Sequence, residues 1–192
     1  MLAAFLIQTS EEGDGRRQEL DRLLLQVGRG DREAFTQLYN LVRGAVYAMA
    51  LSLLGDAQEA QDAAQDTFVK VWESAPDYRP QGSPMAWMLT IARNQARSRL
   101  RQSGRQVLLD EEAWNTLPAG LSSIPDEDRL VLQEALARLG AEDRQIVLLH
   151  AVTGLKHREI AVLLGLPLST VLSKYHRGLK KLKSLMKGEN GQ

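Results

Sequence analysis

Residues 157–186 read His-Arg-Glu-Ile-Ala-Val-Leu-Leu-Gly-Leu-Pro-Leu-Ser-Thr-Val-Leu-Ser-Lys-Tyr-His-Arg-Gly-Leu-Lys-Lys-Leu-Lys-Ser-Leu-Met. Two helical patterns meet at Gly165-Leu166-Pro167. The first sets Ile160, Ala161 and Leu164 on one face; the second sets Val171, Tyr175, Leu179, Leu182 and Met186 in a stripe at helical spacing. Pro167 suits the turn or the start of the second helix, whose first turn Ser169 or Thr170 can cap. Facing outward on that helix are Ser173, Lys174, His176, Arg177, Lys180, Lys181 and Lys183, with no carboxylate among them. Two short helices, a tight turn and a cationic second helix make a helix-turn-helix whose second helix fits a major groove. A solvated basic helix closing a small bundle is the alternative on charge pattern alone. The Gly-Leu-Pro turn, the small Ala161 where helices cross and the single sign of charge favour duplex DNA.

Working outward, a chain of 192 residues with 44% hydrophobic and 25% charged residues suits one or two small globular domains. Its formal net charge is zero, yet the charges are segregated. Segments 11–14, 110–112 and 126–128 are acidic, while 93–105 and 174–187 are basic. Such alternation predicts a molecule that binds DNA poorly alone, because its acidic segments screen its basic ones. There is no cysteine, which excludes disulfides and thiolate zinc sites. With His150, His157 and His176 alone, and no histidine–carboxylate constellation, neither a metal site nor a cofactor is expected. No nucleophile–base set or phosphate-binding glycine loop suggests an enzyme, so no catalytic residue is expected. The apolar run 2–7 is too short to span a bilayer and lacks a basic leader, so no membrane insertion and a cytoplasmic location are expected.

Nearly every periodic segment has helical spacing, so the expected fold class is all-α. It consists of two small helical domains joined by an irregular linker, the second domain carrying the helix-turn-helix. Leu20, Leu23, Leu24 and Val27 form one helix face, ended by Gly28-Arg29-Gly30. Asp31 caps the next helix, which carries Phe35, Leu38, Tyr39, Val42, Val46, Met49, Leu53 and Leu54 as far as Gly55. Asp56 caps a third helix, and a proline-rich loop, 76–84, precedes a fourth over 85–102. The first domain is thus 17–103, the linker 104–125 and the second domain 126–187. In the second, helices over 126–139 and 141–153 precede the helix-turn-helix. Val107, Leu109, Trp114 and Leu117 make the linker too apolar for a passive spacer, so it is expected to lie along a surface.

The third helix sets Ala57, Ala60, Ala64, Phe68 and Val71 on its core face. Asp62, Asp66, Lys70 and Glu73 share another face, flanked by Gln65, Val69 and Trp72. That mixture suits a protein partner offering basic and apolar groups. A solvated face with Trp72 in the core fits the same spacing. The pattern Ala60-x-Asp62-x-x-Gln65-Asp66-x-Phe68-x-x-Val71-Trp72, followed by the proline-rich loop and Ala86-Trp-Met-Leu-Thr-Ile-Ala-Arg-Asn94, resembles the second conserved region of bacterial extracytoplasmic-function (ECF) sigma factors. Arg144-Gln-Ile-Val-Leu-Leu149, Glu159-Ile-Ala161 and Pro167-Leu-Ser-Thr-Val-Leu-Ser-Lys-Tyr-His-Arg-Gly-Leu179 resemble their fourth region.

The resemblance implies an initiation factor that binds core RNA polymerase and directs it to promoter DNA, and whose partners include an anti-sigma factor. It implies that Asp62, Gln65, Asp66, Val69 and Trp72 dock on the polymerase clamp. It further implies that the 78–84 loop and the 87–101 helix open and read the −10 element. Splayed bases need stacking surfaces, hydrogen-bonding groups and backbone cations. Tyr78, Arg79, Gln81, Ser83, Asn94, Arg97 and Arg101 supply these, with Trp87 either stacking or anchoring its helix. For the −35 element the implied residues are Ser169, Thr170, Leu172, Ser173, Lys174, Arg177 and Lys180. A stand-alone helix-turn-helix regulator is the alternative, disfavoured by the lack of an effector-pocket domain or a dimer helix. Three features depart from the family: Lys156 where a capping Ser or Thr is usual, Leu172 where a basic residue is usual, and segment 1–15, which has no counterpart. The first removes half of a capping box, about 1 kcal/mol of helix support.

Overall fold

Two aspartates start helices in the first unit. Asp31 accepts the backbone N–H groups of Glu33 and Ala34 at 2.9 and 3.0 Å, and Asp56 accepts that of Glu59 at 2.9 Å. These are the orphan donors of a first helical turn. In the computed structural model, which describes residues 11–103, 135–136 and 138–188, they begin α2 (Arg32–Leu54) and α3 (Ala57–Ser74). Gly55 ends α2 in the left-handed conformation. Helix α1 (Glu11–Val27) precedes them; its first turns carry no apolar stripe, so the sequence pattern marks only its second half.

Helix α4 (Pro84–Ser103) begins one residue earlier than its apolar pattern suggests. Ser83 caps it, its Oγ accepting from the Ala86 N–H at 3.2 Å, and Pro84 takes the first-turn position that needs no donor. The second unit contains α5 (Ala141–Thr153), α6 (His157–Leu164) and α7 (Leu168–Gly188). Among the described residues no strand occurs. The 104–125 linker, and all of the 126–139 helix but its end, lie outside the described residues. Ala135, Leu136 and Leu139 at that end are buried.

Helix α2 is the hub. Its buried residues are Ala34, Leu38, Val42, Ala45, Val46, Ala48, Met49, Ala50 and Leu51, spread around most of its circumference. Helices α1, α3, α4 and α5 all pack against it. The expected stripe named Phe35 and Tyr39 but not the alanines; Phe35 is half-buried and Tyr39 is exposed. Small residues are what four neighbouring helices require. The two units also touch through polar contacts: Gln145 Nε2 of α5 donates to Ser52 Oγ of α2 at 2.7 Å, and Arg93 Nη2 of α4 donates to the Leu164 carbonyl of α6 at 3.2 Å.

Helices α5 and α7 pack together at Gly178, where an added Cβ would stand 2.8 Å from Val147 Cγ2. A valine in a helix has one preferred rotamer and cannot swing aside. Gly178→Ala is therefore expected to destabilise the chain by about 1–2 kcal/mol despite the better helix propensity of alanine. Adding Val147→Ala should recover about 1 kcal/mol of the summed single losses in a denaturation cycle.

Candidate nucleic-acid interface

The turn between α6 and α7 is built by Gly165, at φ 70°, with the Leu166 N–H returning to the Ala161 carbonyl at 3.0 Å. Only a residue without Cβ adopts that φ freely. The Pro167 carbonyl then accepts from the N–H groups of Thr170 and Val171 at 3.0 and 3.1 Å. Pro167 therefore stands at the start of α7, and Ser169 and Thr170 lie inside its first turn instead of capping it. This corrects the capping expectation: proline has no N–H to lose and fits the boundary itself. At α6, the Glu159 carboxylate accepts the Lys156 N–H at 2.7 Å, while a lysine side chain has no acceptor to return.

Val171, Tyr175 and Leu182 bury the inner seam of α7, and Leu179 is half-buried. Gly178 also belongs to this seam, which an apolar count overlooks. On the outer side Ser169, Ser173, Arg177 and Lys180 are exposed, whereas Thr170, Leu172 and Lys174 are half-buried. Two of these cations are already engaged. Arg177 donates from Nε and Nη2 to the two carboxylate oxygens of Asp143, both at 2.6 Å, and Lys174 pairs with Glu142 at 2.5 Å. The Arg177 fork holds the Asp143 carboxyl below its usual range, against the opposing effect of its partial burial. Lys180 has no ion-pair partner among the described residues. No acid lies on α7 itself; the neutralising acids come from the first turn of α5, where they also suit the helix dipole.

In the first unit, Asn94, Arg97 and Arg101 are exposed along one side of α4, and Arg79 and Gln81 are exposed in the preceding loop. Arg79 folds back to the carbonyls of Pro76 and Tyr78 at 3.2 and 2.8 Å. Tyr78 differs from expectation. Its ring is buried edge-on to Trp87 at 5.0 Å, and its hydroxyl donates to Asp21 of α1. Burial first, and Asp21 second, raise its pKa far above the usual phenol range. With a core position and a satisfied hydroxyl, the ring presents no face for a base. Ser83 uses its hydroxyl as the α4 cap. Arg93 was missed as a contact residue although it lies in the quoted motif. Burial, and then Arg97, lower its pKa as it reaches the end of α6.

On α3, Gln65, Asp66 and Val69 are exposed and Asp62 is half-buried. Trp72 lies half-buried, edge-on to Phe35 at 5.2 Å, so it shares both readings given above. Val69 is 60% exposed, which is unusual for a valine and useful on a docking face. Beside it a cleft of about 210 Å³ is lined by Tyr39, Arg43, Tyr47, Gln61, Gln65 and Phe68, among others.

A carboxylate face on one helix, cations on a second and a helix-turn-helix beside them are the three surfaces this all-helical chain presents. Residues 38–106 match the sigma-70 region 2 family and residues 129–182 match sigma-70 region 4. The ECF RNA polymerase sigma factor SigK of Mycobacterium ulcerans (strain Agy99) is 32% identical over 182 residues, covering 90% of this chain and 96% of that protein. SigK of Mycobacterium bovis (strain BCG / Pasteur 1173P2) is 31% identical, covering 88% and 94%. Among solved structures, CnrH in complex with the cytosolic domain of CnrY matches with a TM-score of 0.57 and 26% identity, over 88% of this chain and 98% of that one. The sigma factor RpoE of Bartonella quintana, in complex with the anti-sigma factor NepR, matches with a TM-score of 0.57 and 27% identity, over 80% and 96%. The chain belongs to the ECF RNA polymerase sigma factors. It is a transcription initiation factor that directs RNA polymerase to promoters. None of its described helices is long and apolar enough to cross a membrane.

One cluster in the helix-turn-helix unit has a pH consequence. His150 of α5 and His157 of α6 stack at 4.5 Å, with the Tyr175 ring of α7 edge-on to both. His157 Nε2 is buried without a hydrogen-bond partner, and His150 Nδ1 meets the Leu155 carbonyl at 2.8 Å. Burial, then the neighbouring His150 and His176, lower the His157 pKa. Unfolded, this imidazole takes up its proton near pH ~6.5; folded, it does so only at lower pH. The unfolded chain therefore binds more protons in that window, so the contribution is intact above pH ~6.5 and is lost as pH falls toward the depressed folded value. The melting temperature should drop between pH ~7.5 and ~5.5, and His157→Phe should flatten that drop in thermal melts at both pH values.

Proposed function

We propose that residues 17–103 bind core polymerase and read the −10 element, and that 126–187 read the −35 element. The supporting observation is that one chain presents a carboxylate face, which repels DNA, beside two cationic faces, which attract it. Asp62, Gln65, Asp66, Val69 and Trp72 form the polymerase-docking face in this reading. The −10 contacts are Arg79, Gln81, Asn94, Arg97 and Arg101, with Trp87 and the buried Tyr78 bracing the loop. The −35 contacts are Ser169, Thr170, Ser173, Lys174, Arg177 and Lys180, with Leu172 toward a thymine methyl or a protein surface. Lys174 and Arg177 exchange their α5 carboxylates for phosphate or base edges. The Lys174–Glu142 pair is partly exposed and worth about 0–1 kcal/mol, so its exchange is cheap, whereas Asp143 is buried and releasing Arg177 from it costs more.

The protein acts without catalysis of its own, in the cytoplasm where polymerase and chromosome meet. The related structure of RpoE with NepR supports an anti-sigma factor as a further partner. Mixing the chain with core polymerase and a promoter library, then sequencing transcripts, tests this reading. Polymerase-dependent start sites sharing −10 and −35 elements are expected. Asp62→Arg combined with Asp66→Arg should abolish holoenzyme formation with an unchanged circular dichroism spectrum; normal holoenzyme affinity in that variant would overturn the docking assignment. A tight, specific DNA complex without polymerase, and no transcript, would point instead to a stand-alone regulator.

A further inference from the structure

Arg99 leaves α4 and crosses to α3. Its Nη2 and Nε donate to Asp66 Oδ2 at 2.6 and 3.2 Å, and its Nη1 donates to Glu59 Oε2 at 3.3 Å. The same Nη1 lies 3.8 Å from Asp62 Oδ2. Glu59, Asp62 and Asp66 fall within two turns of one helix face, so three like charges stand close enough to repel. The Arg99 side chain is 27% exposed, whereas those of Asp62 and Asp66 are 43% and 51% exposed. The guanidinium thus lies beneath the carboxylates and leaves their outer edges open. The other oxygen of Asp62 accepts from Gln58 Nε2 at 3.3 Å.

We infer that Arg99 is a positioning residue for polymerase docking, acting through Asp66 and Asp62. Asp62 and Asp66 belong to the face proposed above to dock on polymerase, so the inference rests on that reading. A planar fork can bridge carboxylates on successive turns, offset their repulsion and restrict their rotamers; a lysine ammonium supplies charge without that geometry. A partner then meets a carboxylate array that is already ordered, and binding loses less side-chain freedom. The same fork ties the array to α4, which carries Asn94, Arg97 and Arg101 on another side. Polymerase docking and −10 reading are thereby registered to each other by one side chain.

The test titrates fluorescently labelled full-length chain with purified core polymerase, alongside melting curves, for the native chain, Arg99→Gln, Arg99→Lys, Asp66→Asn and the Arg99→Gln/Asp66→Asn double variant. Arg99→Gln is expected to raise Kd by about tenfold and Arg99→Lys by about threefold, while the double variant stays within about twofold of Asp66→Asn alone. That non-additivity separates positioning through Asp66 from a general loss of fold. Native or tighter affinity in a folded Arg99→Gln chain, or fully additive losses, would overturn the inference. Should Arg99→Gln not fold, native affinity in Arg99→Lys overturns it equally. Unchanged affinity in Asp66→Asn removes the docking face itself; loss in Asp66→Asn with native affinity in Arg99→Gln removes only the role of Arg99.

Discussion

Helix α2 is the constraint on which the other elements depend. An α-helix that is apolar around most of its surface is stable only when covered on most sides. Here α1, α3, α4 and α5 provide the cover. Ala45, Ala48 and Ala50 are nearly or fully buried, and their small side chains let neighbouring backbones come close. Because α3 and α4 lean on the same helix, the carboxylate face of one and the cations of the other keep a fixed spacing. That spacing is what lets Arg99 reach three carboxylates at once.

A second theme is internal neutralisation. The chain has 24 basic and 24 acidic side chains, and at its candidate surfaces they meet in pairs. Arg177 rests on Asp143, Lys174 on Glu142 and Arg99 on Asp66, while Arg93 is spent on a carbonyl at the end of α6. DNA affinity comes largely from phosphate neutralisation and counterion release, so cations already paired contribute less to it. This gives a physical reason for a sigma factor to read promoters on polymerase and poorly alone. In the proposed reading, docking on polymerase would align both units on one duplex, so that each weak contribution adds to the other.

Much of this was legible in the sequence. The helix boundaries followed from local chemistry: Asp31, Gly55, Asp56 and Gly165 stand where caps and stops occur. The helix-turn-helix and the α3 face followed from periodicity and from the family resemblance. What escaped was long-range pairing. Nothing local marks Asp143 as the partner of Arg177, 34 residues away, or Asp21 as the partner of Tyr78, 57 residues away. Tyr78 looked like a stacking platform because an aromatic in a polar loop resembles one. Its hydroxyl partner lies on a helix that the loop meets only in three dimensions. Small residues escaped for a related reason, since Gly178 and the α2 alanines carry weak hydrophobic signal yet are buried where helices pack together.

The central claim is that promoter recognition by this chain is conditional on polymerase. The most direct measurement is fluorescence anisotropy of a promoter fragment carrying −35 and −10 elements, titrated with the chain alone and with the chain bound to core polymerase at the same salt. The account predicts weak, sequence-indifferent binding by the chain alone and a specific complex at least about a hundredfold tighter with polymerase. Equal, sequence-specific affinity in both titrations would contradict it.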